Sequence, residues 1–529
     1  MTTRDAATIK ALLSHAHEAQ RSGDVLASER ACWRVLQIAP DNSEALHLLG
    51  LLHGECGNYG LAATLLRRAV ALDPGEASYH YNLGNVLVAS GQVERGITSL
   101  HHALELRPDY HRAHSGLYVA LHYSALYDPR ARHILALDWA RRYADPLTPV
   151  PATPVDPDPH RRLRIGYVSG ELRCHPVGYF LEPVIEAHDR TAYEVYCYSN
   201  DPRSDALTDR LRALSDRWRD VWPLTDAELC ELVRRDGIDI LVDLSWHLGM
   251  HRLFAFARRP APVQVTWLAA INTTGMRAMD YLVGDQHLCP PGSDELYTER
   301  LVRLSRFYLP CNPPPDLPGW APADPLGRGF PVFGCFNRLS KIGPEVLDLW
   351  AKILLALPRA RLRLIATGLQ DPVTSSRLMR ALEGRGVAGE RLELLSPMPR
   401  TDLLATYNDI DVALDTLPYS GCTTSLEALW MGVPVVTLEG ADMAGRATSS
   451  LLRWAGLQEL VSRTQEEYID IALGLGRDLG TLARLREHLR RWLRSVSMSD
   501  QGSFTAELED AYRRMWRDAC QTAAGRQGA

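Results

Sequence analysis

The chain has 529 residues, 46% hydrophobic and 23% charged, with a formal net charge of −6. That length accommodates about three or four domains of ~150 residues each, and the composition supports packed cores. An acidic balance argues against general nucleic-acid binding, which needs a basic surface to displace counterions. Ten cysteines without a CxxC pair suggest neither a disulfide framework nor a zinc site. No apolar run approaches the ~20 residues that span a bilayer. The opening MTTRDAATIKALL lacks the apolar core of a signal peptide, so the expected compartment is the cytoplasm.

The first element is a repeat. Pro40, Pro74 and Pro108 recur at an interval of 34 residues, as do Gly23, Gly57 and Gly91, and the pair Gly50 and Gly84. Small residues keep the same phase at Ser28, Ala62 and Gly96. This period, with a glycine in the mid-repeat turn and a terminal proline, resembles the tetratricopeptide repeat. Its small residues let antiparallel helices approach closely and its proline stops the second helix. Three units are predicted at 9–42, 43–76 and 77–110. The stretch 111–144 keeps the helical pattern without the proline, as a degenerate capping repeat. Residues 1–144 are therefore expected to be α-helical, with a short groove for protein or peptide partners. The histidines of the array, such as His47 and His102, are expected to be solvated or interhelical rather than metal ligands.

Residues 145–159, DPLTPVPATPVDPDP, read as an extended proline-rich linker. Beyond them the period changes. LRIGYVS, YEVYCYS, IDILVDL and VQVTWL are predicted strands of one α/β half, residues 160–325. PVFGCF, RLRLIA, RLELLS, DVALDT and PVVTL are predicted strands of a second half, 326–529, alternating with helical stretches. Two doubly wound, Rossmann-like sheets in tandem are expected to bind ligand at the carboxyl ends of their strands. The leucines of LARLREHLRRWLRSV, at 482, 485, 489 and 493, predict one apolar helix face and one solvated basic face.

Three strand-end loops carry candidate chemistry. In LPYSGCTTSLEALW, Thr423 and Thr424 open a helix with Glu427 one turn in, a place suited to a pyrophosphate. An ordinary capping arrangement with Thr423 as N-cap is the alternative. In FNRLSKIG, Arg338 and Lys341 follow a strand, where a lysine can neutralise charge on a departing diphosphate. In SGELRCHPVGYF, either Glu171 or His175 can take a proton from an attacking hydroxyl. Asp409 and Asp411 form an Asp-x-Asp string beside a buried strand, where capping and flanking are expected instead of metal binding.

Together these residues resemble the O-linked N-acetylglucosamine transferase family in a bacterial form. The resemblance runs through the repeats, LRIGYVS…HPVG, RRPAPVQVTWL…NTTG…MDYLVGD, CFNRLSKI and ALDTLPYSGCTTSLEALWMGVPVVTL. It implies a GT-B fold, a UDP-sugar donor, no metal or other cofactor, and inverting transfer of N-acetylglucosamine to Ser/Thr hydroxyls of proteins. By the same resemblance His175 is a pocket histidine, Glu171 a nearby acid and Lys341 a ligand of the UDP phosphates. Thr423, Thr424 and Glu427 match phosphate and ribose contacts, and Arg338, Met398 and Arg400 fall where the nucleotide is held. His122 matches a second pocket histidine, and Ala269 lies in the loop that lines the sugar. The chain departs from the family at Tyr179, at Ala269-Ala270-Ile271, at Ser245-Trp246-His247-Leu248 and at Cys422. These departures predict a shifted sugar preference and leave one alternative: a non-catalytic repeat adaptor with a degenerate UDP-binding domain.

Overall fold

Eight helices open the chain: α1 (Thr3–Ser22), α2 (Val25–Ile38), α3 (Ser43–Glu55), α4 (Tyr59–Leu72), α5 (Ala77–Ala89), α6 (Val93–Leu106), α7 (His111–Leu121) and α8 (Pro129–Trp139). The computed structural model describes residues 2–149, 156–313, 317–319, 321, 324–495 and 500–527. α1 starts ahead of the predicted repeat because Thr2 and Asp5 form a reciprocal capping box. The recurring glycines have two distinct causes. Gly23, Gly57 and Gly91 take left-handed backbone, with φ of +79°, +77° and +82°, which side chains rarely tolerate. At Gly50 and Gly84 a Cβ would come within 2.6 and 2.8 Å of Leu66 and Leu100, so close helix packing demands the missing atom.

The linker is not extended from its start. Ala140–Ala144 form a wide helical turn that runs into a tight turn at Asp145–Leu147. Ala144 is buried, and Tyr143 and Leu147 pack on the core around Trp139, which keeps the chain helical here. Residues 150–155 of the predicted linker lie outside the described residues.

The chain divides into two compact units, each drawn from separate segments. Unit one is Met1–Ala125, Trp320–Pro418 and Gln465–Ala483; unit two is Leu126–Gly319, Tyr419–Thr464 and Arg484–Ala529.

Unit two holds a seven-stranded sheet of β1 (Leu163–Ser169), β2 (Tyr193–Ser199), β3 (Arg217–Asp220), β4 (Ile240–Asp243), β5 (Val263–Thr266), β6 (Tyr281–Asp285) and β7 (Arg300–Leu304). All neighbours are parallel, in the order β3-β2-β1-β4-β5-β6-β7. The near-continuous apolar runs of β1 and β2 reflect burial on both faces. Strands β3, β6 and β7 escaped the sequence reading: β3 and β7 end the sheet and carry charged residues, RWRD and RLVRL, while β6 is a buried run of only five residues, YLVGD. Order reverses between β1 and β4, and such a switch point opens a ligand crevice at the strands' carboxyl ends.

Unit one joins α1–α7 to β8 (Val332–Cys335), β9 (Arg361–Ile365), β10 (Leu392–Leu395) and β11 (Val412–Leu414), parallel in the order β10-β9-β8-β11. Its switch point lies between β8 and β11. The repeat turns dock on this sheet's loops. Gly60 N–H donates to Asp371 at 2.8 Å, and Gln370 Nε2 donates to the Cys56 carbonyl at 3.0 Å. A Cβ at Gly91 would meet the Leu339 carbonyl oxygen at 2.8 Å.

Unit two also contains the parallel pair β12 (Val435–Leu438) and β13 (Val461–Ser462) and the Gln501–Gln527 helix. That helix is anchored by Glu509, which bonds His188 Nδ1 at 2.8 Å. In the Leu479–Ser495 helix, Leu482 and Leu489 are buried as predicted, but Arg486 of the supposedly solvated face is buried too. The Leu493 side chain lies outside the described residues. Among the described residues no helix is long and apolar enough to cross a membrane.

Candidate active site

In unit two, the loop leaving β1 is held from three sides. Thr208 donates to the Leu172 carbonyl at 2.9 Å, Arg173 pairs with Asp201 at 3.1 Å, and Cys174 N–H donates to Asp205 at 2.7 Å. His175 is then the N-cap of the Pro176–Ala187 helix, with Pro176 in the first turn where its fixed φ suits a helix start. Its Nδ1 contacts the Glu171 carboxylate and also lies 3.3 Å from Val177 N–H. An imidazole and a carboxylate in contact at a strand's carboxyl end are candidates for taking up a proton. The two residues expected at this loop are thus brought together.

The neighbouring loops are framed by buried acids. Asp243, at the end of β4, accepts from Ser245 N–H (3.1 Å), Trp246 N–H (3.0 Å) and the Thr266 hydroxyl (2.9 Å). Burial pushes its carboxyl up to about 6, against the lowering effect of these bonds. Trp246 and Leu268 both occupy left-handed backbone, with φ of +50° and +56°, a strained choice for large side chains and one that concentrates at functional loops. Trp246 Nε1 donates to the Thr273 carbonyl at 2.9 Å, and His247 Nε2 lies 3.0 Å from that of Thr274. Glu299, also buried, accepts from the Thr273 hydroxyl at 2.6 Å and from Thr274 N–H at 2.7 Å. Ala269 is partly exposed while Ala270 is buried. The loop therefore presents position 269 and turns position 270 inward.

The Thr423–Trp430 helix begins at Thr423, so the N-cap is Cys422 and not Thr423 as the capping alternative had it. Cys422 Sγ lies 3.5 Å from the Tyr308 hydroxyl. Tyr308 in turn donates its N–H to Asp285 at 3.2 Å and accepts from Trp267 Nε1 at 3.0 Å. The ends of β5 and β6 are thereby tied to this helix start. Thr423 and Thr424 are partly exposed; Glu427 is buried, at 5% exposure.

In unit one, Arg338 and Lys341 flank a single tight turn, Leu339–Lys341, directly after β8. Lys341 N–H donates to the Arg338 carbonyl at 3.0 Å. Ile342 bridges to Leu417, and Asn337 Nδ2 donates to Asp415 at 3.4 Å, so the loops after β8 and β11 meet at the switch point. Burial pushes the Cys335 thiol up to about 12, while the Lys341 charge pulls it down. Burial likewise raises the Tyr59 phenol and the Arg338 charge opposes it, which places this repeat residue beside the loop. Met398 and Arg400 are partly exposed at the start of the Arg400–Thr406 helix. His122 is fully buried at the end of α7, with Nδ1 at 2.9 Å from the Tyr118 carbonyl. Asp409 pairs with Arg363 at 2.7 Å, and Asp411 is buried on Arg328 and Val332 N–H. The Asp-x-Asp string flanks its strand as expected.

Helical repeats followed by two doubly wound parallel sheets, with charged loops at both switch points, define the repeat-bearing GT-B class. Comparison with known proteins narrows this. The model of glycosyl transferase family 41 matches residues 105–311 and 326–508, and a tetratricopeptide model matches 43–76 and 77–110. The chain belongs to glycosyl transferase family 41. It is 36% identical over 422 residues to a probable UDP-N-acetylglucosamine–peptide N-acetylglucosaminyltransferase SPINDLY of Solanum lycopersicum, covering 79% of this chain and 45% of that protein. The Arabidopsis thaliana protein of the same description is 38% identical, covering 69% of this chain and 40% of its own length. The chain thus spans about half the length of the curated relatives it matches. A solved structure described as the K341M mutant of Thermobaculum terrenum O-GlcNAc transferase is 99% identical with a TM-score of 0.95, covering 99% of this chain and all of that one.

Four acids escaped the sequence reading: Asp243, Asp285, Glu299 and Asp442. Asp442 alone left a local signal, as a helix N-cap ahead of MAGRATSSLL.

Proposed function

We propose that the chain moves N-acetylglucosamine from a UDP-sugar to Ser/Thr hydroxyls of proteins, with inversion at the anomeric carbon and without a metal. The observation that carries the reading is the placement of charge at the switch points. The Glu171–His175 pair follows β1, and Arg338 with Lys341 follows β8. The relatives' names supply UDP-N-acetylglucosamine and peptide as the substrate classes. In the reaction the acceptor oxygen forms a bond to C1 as the bond from C1 to the phosphate oxygen breaks. The acceptor proton goes to the Glu171–His175 pair, and UDP leaves with the electron pair. Lys341 and the positive end of the Thr423–Trp430 helix stabilise the charge that builds on it. The repeats bind acceptor proteins.

The test is transfer from labelled UDP-N-acetylglucosamine to proteins of a lysate, with and without EDTA, and with the product anomer read by NMR. A β-linked product formed at equal rates in both conditions is expected. Absence of transfer from any UDP-sugar, or activity restored only by Mn²⁺, overturns the reading.

A further inference from the structure

Asp442 lies outside every motif that pointed to the donor, yet it touches the supports of two donor loops. Its carboxylate is buried, at 5% exposure. It accepts from Gly445 N–H at 3.3 Å as cap of the Met443–Trp454 helix. It also pairs with Arg132 at 2.6 Å and accepts from Asn272 Nδ2 at 3.3 Å. Asn272 directly follows Ala269-Ala270-Ile271, the loop assigned to the sugar. The helix that Asp442 caps braces the other loop. Ser420 donates to the Ala444 carbonyl at 3.1 Å, and the Thr448 and Ser425 hydroxyls lie 2.9 Å apart. Ser425 belongs to the first turn of the Thr423–Trp430 helix, the end assigned to the diphosphate. All these residues lie in unit two.

A buried ion pair adds little net stability over apolar packing of the same volume, and its attested use is to fix one arrangement among several. We propose that Asp442 is a positioning residue that sets the sugar loop and the phosphate-facing helix start in register, so that one carboxylate governs how both ends of a UDP-sugar are read. The inference rests on the donor assignment of those two loops. It predicts an asymmetry. Asn272→Ala cuts the link to the sugar loop, together with the bond from Thr273 N–H to Asn272 Oδ1, and leaves the helix cap in place, whereas Asp442→Asn disturbs both.

Calorimetric titration of the full chain with UDP and with UDP-N-acetylglucosamine, beside thermal unfolding of each variant, tests this. For Asn272→Ala the UDP-sugar affinity should fall about tenfold with UDP affinity within about twofold, the scale of one lost contact. For Asp442→Asn both should fall about tenfold. Equal losses for the two ligands in Asn272→Ala, or no loss for either, overturn the proposal, and this arm decides even if Asp442→Asn does not fold. If the wild-type chain binds both nucleotides and the variants show this asymmetry, yet the wild-type chain transfers nothing, the proposed function falls and the positioning role stands. Wild-type chain that binds neither nucleotide overturns both.

Discussion

The two switch points share a topology and use it in opposite ways. After β8, in unit one, a tight turn carries Arg338 and Lys341 toward solvent, and backbone bonds do the holding. After β4, β6 and β12, in unit two, the charges are carboxylates turned inward: Asp243, Asp285 and Asp442 bind backbone N–H groups, and Glu299 does so after the NTTG segment. One region carries its charges as exposed or partly exposed cations. The other spends its acids on shaping loops, including two residues with left-handed backbone. A parallel sheet leaves strand-end amides without partners in the sheet, and a buried carboxylate is a compact way to satisfy several at once.

Breaking the cationic side should cost the most. Lys341→Ala is expected to lower the transfer rate by ~10²–10³ with an unchanged circular dichroism spectrum, as loss of one charge stabiliser does. Turnover near that of the wild type would remove Lys341 from the chemistry. The partly exposed Glu171–His175 pair of unit two comes next. His175→Ala should lose ~10² in rate, and Glu171→Gln less, because the glutamate acts by orienting the ring. If Glu171→Gln were the more damaging change, the carboxylate itself would be the base.

The framing acids should instead report on stability. Glu299→Gln leaves the Thr273 and Thr274 groups with a weaker acceptor, for an expected loss of about 1–2 kcal/mol in chemical denaturation. An unaffected midpoint would mean that water replaces the carboxylate there. The smallest effect is a slope. Asp243 has a carboxyl raised by burial from 3.8 to about 6. Between those values the folded chain retains a proton that the unfolded chain releases. Its stabilising contribution is therefore complete below the lower value and is lost as pH rises through the upper one. Asp243→Asn should flatten the decline in unfolding free energy across that window. Parallel pH profiles for variant and wild type would show that this carboxylate does not titrate there.

Much of the architecture was legible in the sequence because it rests on local rules. The repeat shows in Gly57 and Gly91, which the turn geometry requires, and β1 and β2 show as runs buried on both faces. Edge strands β3 and β7 were hidden, since exposure permits RWRD and RLVRL to look like loop. At the candidate site, Glu171, His175 and Lys341 were legible because each sits beside a strand end with a recognisable motif. The framing acids were not. Asp442 acquires its meaning from Arg132 and Asn272, residues 310 and 170 positions away, and no spacing rule reaches so far. Tertiary packing likewise decides that Ala270 and Arg486 are buried and that Asp145–Leu147 stay helical.

The discontinuous make-up of unit one has a consequence for how the chain is made. Its helices α1–α7 leave the ribosome well before the loops that receive the Gly57 and Gly91 turns, which lie beyond residue 320. All of Leu126–Gly319 is synthesised in between, a delay on the order of ten seconds or more at ordinary elongation rates. During that interval the early helices keep a bare docking edge, and closure waits on contacts of very high sequence separation. A stop placed at the apparent boundary between the two α/β halves therefore releases a product in which neither unit is complete.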